Sequence, residues 1–299
     1  MEAILTGATG FLGRYINDEL AKIGFVTSIS RNGSILNLDL VKSIPNLPCA
    51  DLVVHCAGKA HSIPKTMLEK QEYYNVNVIG TANLLKGLDK LVKLPQSFVL
   101  ISTVAVYGCE KGVSITEEQS LNAKDAYGSS KIQSEKLVKE WCADNNVICT
   151  VLRLPLLVGE NPPGNLGSMI KGISMGYYFN ISGGKAKKSM VLAADVAKLI
   201  PVVSLIGGTY NLTDGYHPSF AELSRTIAKQ LGKNETFNLP FYLAKVIASI
   251  GDVFGNNAPI NSNKLNKITS DLTFNDDKAR RKFNWKPSLV LDNFKVNYP

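Results

Sequence analysis

Two hydrophobic rhythms alternate through the first half of the chain. Short, nearly continuous apolar runs ("AILTG" from residue 3, "FVTSIS" from 25, "DLVVHCAG" from 51, "SFVLIST" from 97 and "VICTVLRL" from 147) take turns with segments such as "RYINDELAKIG", "TANLLKGLDKL" and "SKIQSEKLVKEWCADN". The runs are rich in Val, Ile and Leu without alternation, as strands covered on both faces require, while the longer segments repeat every three or four residues, as amphipathic helices do. Strand following helix following strand predicts an α/β protein with a Rossmann-type, doubly wound parallel sheet. After residue 160 the rhythm breaks: "GENPPGN" and "SGGKAKK" read as loops and "TYNLTDG" as an isolated strand with its turn. "SFAELSRTIAKQLG", with Ser219 as N-cap, and "FYLAKVIASIGDVFG" read as helices. The second of these is strongly apolar but too short to cross a bilayer, so it is expected to pack against the protein rather than associate with a membrane.

Composition narrows the class. With 299 residues, 45% of them hydrophobic, the chain can bury one large core and a satellite. No run approaches the ~20 apolar residues of a membrane span, and Met1 leads almost directly into the first strand, so the expectation is a cytoplasmic protein without membrane insertion. Cysteines 49, 56, 109, 142 and 149 are odd in number and lack metal-site spacing, which predicts neither metal nor disulfide framework; Cys56 and Cys149 read as small buried hydrophobes. The net charge of +8 suits an anionic partner. Because lysines such as Lys86, Lys90 and Lys93 are dispersed, that partner is expected to be a small phosphorylated molecule rather than nucleic acid.

"TGATGFLGRYI" supplies candidate chemistry for such a molecule. Gly7, Gly10 and Gly13 follow a strand and open a helix, the setting in which a tight turn, an unobstructed backbone and a close helix–strand contact receive a dinucleotide pyrophosphate. Thr9, Phe11 and Leu12 lie within that loop and present the helix N-terminus. At the end of the second strand Ser30 and Arg31 occupy the place where an NAD-binding unit commonly has a carboxylate, and an arginine there suits a 2′-phosphate; Asp39, followed by Leu40, could address the adenine amino group. The plain alternatives are an ordinary strand–helix turn and a loop arginine without function.

"AYGSSK" places Tyr127 and Lys131 one helical turn apart, so the two share a face. A cation there could help a phenol give up its proton. Surface pairs with this spacing also arise by chance.

In order along the chain, these motifs resemble those of the extended short-chain dehydrogenase/reductase family, which includes nucleotide-sugar epimerases, dehydratases and reductases. "TGATGFLG" is similar to the family's glycine loop, "HCAG" at 55–58 to its cofactor-side segment, "YYNVNVIGTANLL" to its VNxxGTxNLL helix, "ISTVAVYG" to its catalytic strand end and "YGSSK" to its Tyr-x-x-x-Lys pair. "RRKFNWKPSLVLDNF" resembles the family's carboxyl end, so the likeness extends over essentially the whole chain. The resemblance implies catalytic roles for Thr103, Tyr127 and Lys131, with Cys56, Ala57 and Gly58 beside the cofactor, which Tyr127 and Lys131 would also touch. It implies a dinucleotide-binding domain over 1–160, its sheet completed by 190–214, and a smaller, mainly substrate-binding α/β region over 161–299.

For the substrate half the resemblance implies that Asn165 contacts a nucleotide and that Lys188 stands where relatives often place an Arg on the substrate pyrophosphate. Val158 and Leu156 depart from the usual Tyr and Asn. Asp195 is read as a helix cap or a direct participant. Val104 and Ala105 follow Thr103 where dehydratases carry an Asp–Glu pair, which argues against a 4,6-dehydratase.

Three functions follow. The leading one is a reductase of the 4-keto group of a nucleotide-linked (UDP) deoxyhexose or deoxyhexosamine, with NADP(H) favoured and NAD(H) possible; "HCAGKAH" leans this way. A nucleotide-sugar 4-epimerase with tightly bound NAD is the second, and a non-catalytic dinucleotide sensor the third. The resemblance also implies a homodimer built from the helices around "ANLLKGLDKL" and "SKIQSEKLVKEW", whose apolar stripes are wide enough to pack.

Overall fold

The computed structural model describes residues 1–60, 64–255, 258 and 260–296. His61, the last residue of "HCAGKAH", lies outside them. The chain begins β1 (Glu2–Thr6), α1 (Phe11–Ala21), β2 (Phe25–Ser30), β3 (Leu36–Asn37) and β4 (Leu52–His55). Helix α2 (Met67–Tyr74) passes through a wide π turn (Asn75–Ile79) into α3 (Gly80–Leu88). Then come β5 (Ser97–Thr103), a 3₁₀ turn (Val104–Tyr107), β6 (Gly112–Ile115), α4 (Ala126–Asp144), β7 (Ile148–Leu154) and β8 (Leu156–Val158). The remainder contributes α5 (Gly164–Ser174), β9 (Phe179–Ile181), β10 (Met190–Leu192), α6 (Ala193–Val203), β11 (Gly208–Asn211), α7 (Phe220–Gln230), β12 (Phe237–Leu239), α8 (Phe241–Asp252), α9 (Ser262–Thr269), β13 (Leu272–Phe274), α10 (Asp277–Phe283) and α11 (Val290–Asn293).

Seven parallel strands form the central sheet in the order β11-β7-β5-β4-β1-β2-β3. Strand order reverses between β1 and β4, and in such sheets the crevice beyond the carboxyl ends at that point receives the ligand. The run "TYNLTDG", isolated in sequence, supplies β11 and closes the sheet beside β7. Its partners in β7 lie nearly sixty residues back in the chain, Gly208 beside Thr150, so no local pattern marked it as a sheet edge.

Adjacent residues of β1 show why the strands read as unbroken apolar runs. Leu5 faces a core shared with Leu12, Ile16 and Leu20 of α1 and Ile200 of α6. Its neighbour Ile4 faces the opposite core, with Leu84 and Leu88 of α3 and Val138 of α4. Leu84 and Leu88 of α3 and Val138 of α4 thus face the chain's own sheet, while Ala82, Leu137 and Trp141 of the same helices stay partly uncovered.

The later elements make smaller cores, one joining α5, α7 and α11 over the β8–β10 pair and one joining α8 and α9 to the β9–β12 ribbon. Ser219 caps α7 as expected, with Glu222 completing a capping box. Asp195 does not cap its helix: α6 starts two residues earlier, and the Asp195 carboxylate accepts the Ser288 N–H at 2.6 Å. Cys149 and Cys56 are only partly covered, whereas Cys142 is buried. The apolar helix α8 departs most from expectation, since only Ala244, Ala248 and Gly251 of its residues are buried.

Candidate active site

Three strand ends converge at the crevice. After β1 the chain turns at Gly7, whose φ is +72° and whose N–H donates to Ile29 O at 2.8 Å. A Cβ at Gly7 would stand 2.7 Å from the Ala57 nitrogen, and one at Gly13 only 2.0 Å from Gly7 O. These two glycines let the loop lie against the end of β4 and let α1 lie against the loop. Gly10 opens α1 without a side-chain cap, and no acidic residue stands in the first turn. Free helical N–H groups on a bare backbone suit a pyrophosphate, so the residues fit a nicotinamide dinucleotide. Leu12 is buried in the core and Phe11 packs edge-on to Tyr15, which leaves their backbone to face the loop.

Arg31 is exposed just beyond the end of β2. The residue before it, Ser30, accepts the Thr9 N–H on its hydroxyl at 3.4 Å, which ties that strand end to the glycine loop. Asp39 uses its carboxylate to receive the Val41 N–H at 3.0 Å, and Leu40 is buried with its carbonyl held by Asn83 at 2.8 Å. The structure thus brings Gly7, Thr9, Gly10, Ser30 and Arg31 together, with Asp39 one loop further out.

On the other side of the crevice, Thr103 ends β5 and Tyr127 lies in the first turn of α4. Asp125 caps that helix, accepting the Tyr127 and Gly128 N–H groups at 3.1 and 3.0 Å. Gly128 brings α4 close: a Cβ there would meet Ala123 Cβ at 2.4 Å and Ala105 O at 2.9 Å. The result is that the Thr103 hydroxyl and the Tyr127 phenol face the same point of the crevice. Burial pushes the phenol up to about 12, opposed by the Thr103 hydroxyl. The Tyr73 ring lies tilted beside it, at 5.9 Å between ring centroids.

Lys131 is buried and donates to Ile101 O at 2.7 Å, inside β5. Burial lowers its pKa to about 8, and Glu135 and the Cys56 thiol work the other way. Burial outweighs the opposing influences at Tyr127, so the phenol rests protonated.

Several residues that organise the site carry no role in the sequence reading. Asn77, in the π turn, accepts the Lys59 N–H at 2.7 Å and donates to Ser130 Oγ at 2.9 Å, so it joins the Cys56–Lys59 segment to α4. A Cβ at Gly58 would stand 3.2 Å from its amide oxygen. His55 bridges Thr6 at 2.6 Å and Thr81 at 2.9 Å, and burial, aided by the charge of Lys131, lowers its pKa to about 3, so it is neutral. Beneath the site Arg153 grips Glu135 with two bonds of 3.1 and 2.8 Å, and Glu135 also accepts from Ser102 at 2.6 Å. Asn77 and His55 sit inside the quoted motifs, which was the available signal; Arg153 and Glu135 gave none until β7 and α4 met.

The substrate-side candidates are more dispersed. Asn165 is exposed in the first turn of α5. Lys188 donates to Lys267 O and Ser270 O, both at 2.9 Å, and thereby holds the end of α9. Among the described residues no cluster of His, Cys, Asp and Glu could hold a metal ion.

The sequence model of the NAD dependent epimerase/dehydratase family matches residues 3–207. The chain belongs to this family. Among its relatives, the UDP-glucose 4-epimerase of Vibrio cholerae is 26% identical over 312 residues, covering 96% of this chain and 91% of its own. The N-acetyl-alpha-D-glucosaminyl-diphospho-ditrans,octacis-undecaprenol 4-epimerase of Escherichia coli O157:H7 is 25% identical, covering 92% and 88%. The structure of Thermotoga maritima UDP-glucose 4-epimerase with UDP-glucose superposes with a TM-score of 0.77 at 19% identity, covering 98% of this chain and 96% of that one. RMD from Pseudomonas aeruginosa complexed with NADPH gives 0.73 at 20% identity over the same shares. At such identities the superpositions speak for the fold, and they agree with the doubly wound sheet.

Proposed function

We propose that this protein is an NADPH-dependent reductase of the 4-keto group of a nucleotide-linked deoxyhexose or deoxyhexosamine. Its membership of the epimerase/dehydratase family and the names of its relatives support the broader class, a nicotinamide-dependent enzyme acting on a sugar diphosphate. The observation that carries the finer reading is Arg31, exposed beside the glycine loop at a strand end that bears no carboxylate. A guanidinium pairs with a 2′-phosphate that a carboxylate would repel.

A bound reduced nicotinamide supplies the hydride. The chain's own residues handle the proton: Thr103 holds the substrate oxygen, and Tyr127, protonated in the resting site, donates to it as it becomes an alkoxide. Lys131 lies one turn along α4 and would hold the cofactor ribose. Oxidation at the same carbon would require the phenol to start as a base, which a group pushed up to about 12 resists until positive charge arrives. Asn165 and Lys188 are the proposed contacts for the nucleotide and the diphosphate. Lys188 would address only the diphosphate, which a nucleotide sugar shares with the polyprenyl-linked sugar named for the Escherichia coli relative.

The names of two relatives matched over most of their length favour a second reading, a 4-epimerase that retains NAD. Dissociation constants for NADPH and NADH separate the two. The wild type should prefer NADPH by roughly tenfold, one partly exposed charge-assisted bond, and Arg31→Asp should abolish or invert that preference. Equal affinities in the wild type, or tightly retained NAD after purification, would favour the epimerase.

A further inference from the structure

Tyr127 keeps part of its surface open to the crevice, as a group that must reach a substrate does, yet its phenol holds its proton as a buried group would. The desolvation therefore comes from the walls beside it. One wall is the end of β5 at Thr103, which is buried. Another is the ring of Tyr73, which has 0% exposure and lies 5.9 Å from the Tyr127 ring, tilted by 57°. Tyr73 belongs to neither of the cores that cover the central sheet, so its burial is used at the site.

The chain fixes Tyr73 from both ends of α2. Thr66 starts the helix with a capping box that Glu69 completes. At the other end the helix runs directly into the π turn, where Asn77 accepts the Lys59 N–H at 2.7 Å and donates to the Lys59 carbonyl at 3.2 Å. Lys59, held this way, places its ammonium 5.6 Å from the centroid of the Tyr73 ring and pairs with Glu72, the residue before Tyr73. Asn77 donates as well to Ser130 of α4 at 2.9 Å, and α2 packs against α4. The contacts that seat Tyr73 thus also set its distance from Tyr127.

We propose that Tyr73 is a positioning residue of the active site, whose ring seats that of Tyr127 beside Thr103 and keeps water off that side of the phenol. The inference rests on the proposed role of Tyr127 as proton donor and holds for either direction of hydride transfer. The other groups that face the phenol are the Asp125 carboxylate and the Cys56 thiol, which favour its protonated form as burial does, and the Thr103 hydroxyl, which opposes them. Lys131 lies one turn along α4 with its ammonium on the Ile101 carbonyl. All of these remain in a Tyr73 variant, so a change at the phenol reads the wall.

Ultraviolet difference titration of the Tyr127 phenol measures that wall without turnover. Each spectrum is taken against the same protein carrying Tyr127→Phe, which cancels the other tyrosines. Tyr73→Leu opens the phenol to water, so it should ionise about tenfold more readily than in the wild type, about one pH unit lower. Tyr73→Met, in which a flexible thioether fills the space with less strain, should move it in the same direction. Tyr73→Phe restores the ring and should recover the wild-type titration. Because the donor must carry its proton, the rate with a 4-keto nucleotide sugar should fall off at lower alkaline pH in the Leu variant than in the wild type. At neutral pH its kcat should fall about ten- to a hundredfold while substrate KM and NADPH affinity stay within about twofold.

A purely structural role would lower the melting temperature and leave the titration where it was. An unmoved titration in both the Leu and Met variants, or a Tyr73→Phe protein that titrates like Tyr73→Leu, would overturn the proposal. A shifted titration in a protein that reduces no 4-keto sugar would count against the proposed reaction and support the placement of Tyr73.

Discussion

Tyr127 stands under opposing influences, and their balance sets what it can do. Burial raises the phenol to about 12, while the Thr103 hydroxyl pulls it down. The Lys131 ammonium, one turn away, donates a hydrogen bond to the Ile101 carbonyl of β5. On the proposed mechanism the side chain is a reservoir for one proton, to be delivered when an alkoxide forms beside it. Tyr127→Phe keeps the ring against Tyr73 and removes only the hydroxyl, so NADPH affinity should stay within about twofold while turnover falls about 10²- to 10⁴-fold, the usual scale for a positioned general acid. Steady-state rates with a 4-keto nucleotide sugar, set beside the cofactor dissociation constant, read both quantities. Near-normal turnover would remove Tyr127 from the chemistry.

Among the elements, the approach of α4 to the turn after β5 determines whether Thr103 and Tyr127 meet at all. Gly128 permits it, with 2.4 Å between its would-be Cβ and Ala123 Cβ. Gly128→Ala gains helix propensity on paper, yet the added methyl must displace either the 104–107 turn or the helix. Overpacking of this kind costs about 1–3 kcal/mol. The variant should melt earlier and lose most activity, since the shift falls between the two hydroxyls. Thermal denaturation and rate measurements that both match the wild type would show that the helix start yields without consequence. The glycine spacing was legible in the sequence at residues 7, 10 and 13, because a phosphate loop has a recognisable pattern. At Gly128 it was not, because the obstacle lies on a different element.

On the scale of the whole molecule, Glu135 and Arg153 join α4 to β7 beneath the active site, and Arg153 also reaches the Tyr107 hydroxyl at 3.1 Å, which in turn donates to Asn211 of β11 at 2.7 Å. Burial by itself would raise the Glu135 carboxyl; the Arg153 guanidinium overrides that and holds it below the usual carboxylate range. A carboxyl lowered on folding adds stability above its unfolded pKa and loses it as pH falls through the folded value. Glu135→Gln leaves Arg153 buried without its counter-charge and should lower stability by about 3 kcal/mol or more at neutral pH. The difference from wild type should shrink on acidification. Urea midpoints for both proteins across the acid range measure it, and equal midpoints at pH 7 would mean that the pair contributes nothing net.

The sequence by itself determined the parallel α/β core and the glycine loop, because those depend on periodicity and on spacing within one loop; the trio Thr103, Tyr127 and Lys131 was named by the family resemblance. Ser219 as an N-cap was legible for the same local reason. Partners far apart in the chain were decided only by the tertiary structure. Asn77 joins Lys59 to Ser130, β11 finds β7, and Lys188 ties down α9, each through a neighbour tens of residues away. Helix α8 makes the division plainest. Its composition announces burial, yet the buried side is the one where Ala244, Ala248 and Gly251 pack, Gly251 against the Ile260 carbonyl, and that leaves the large apolar side chains facing outward.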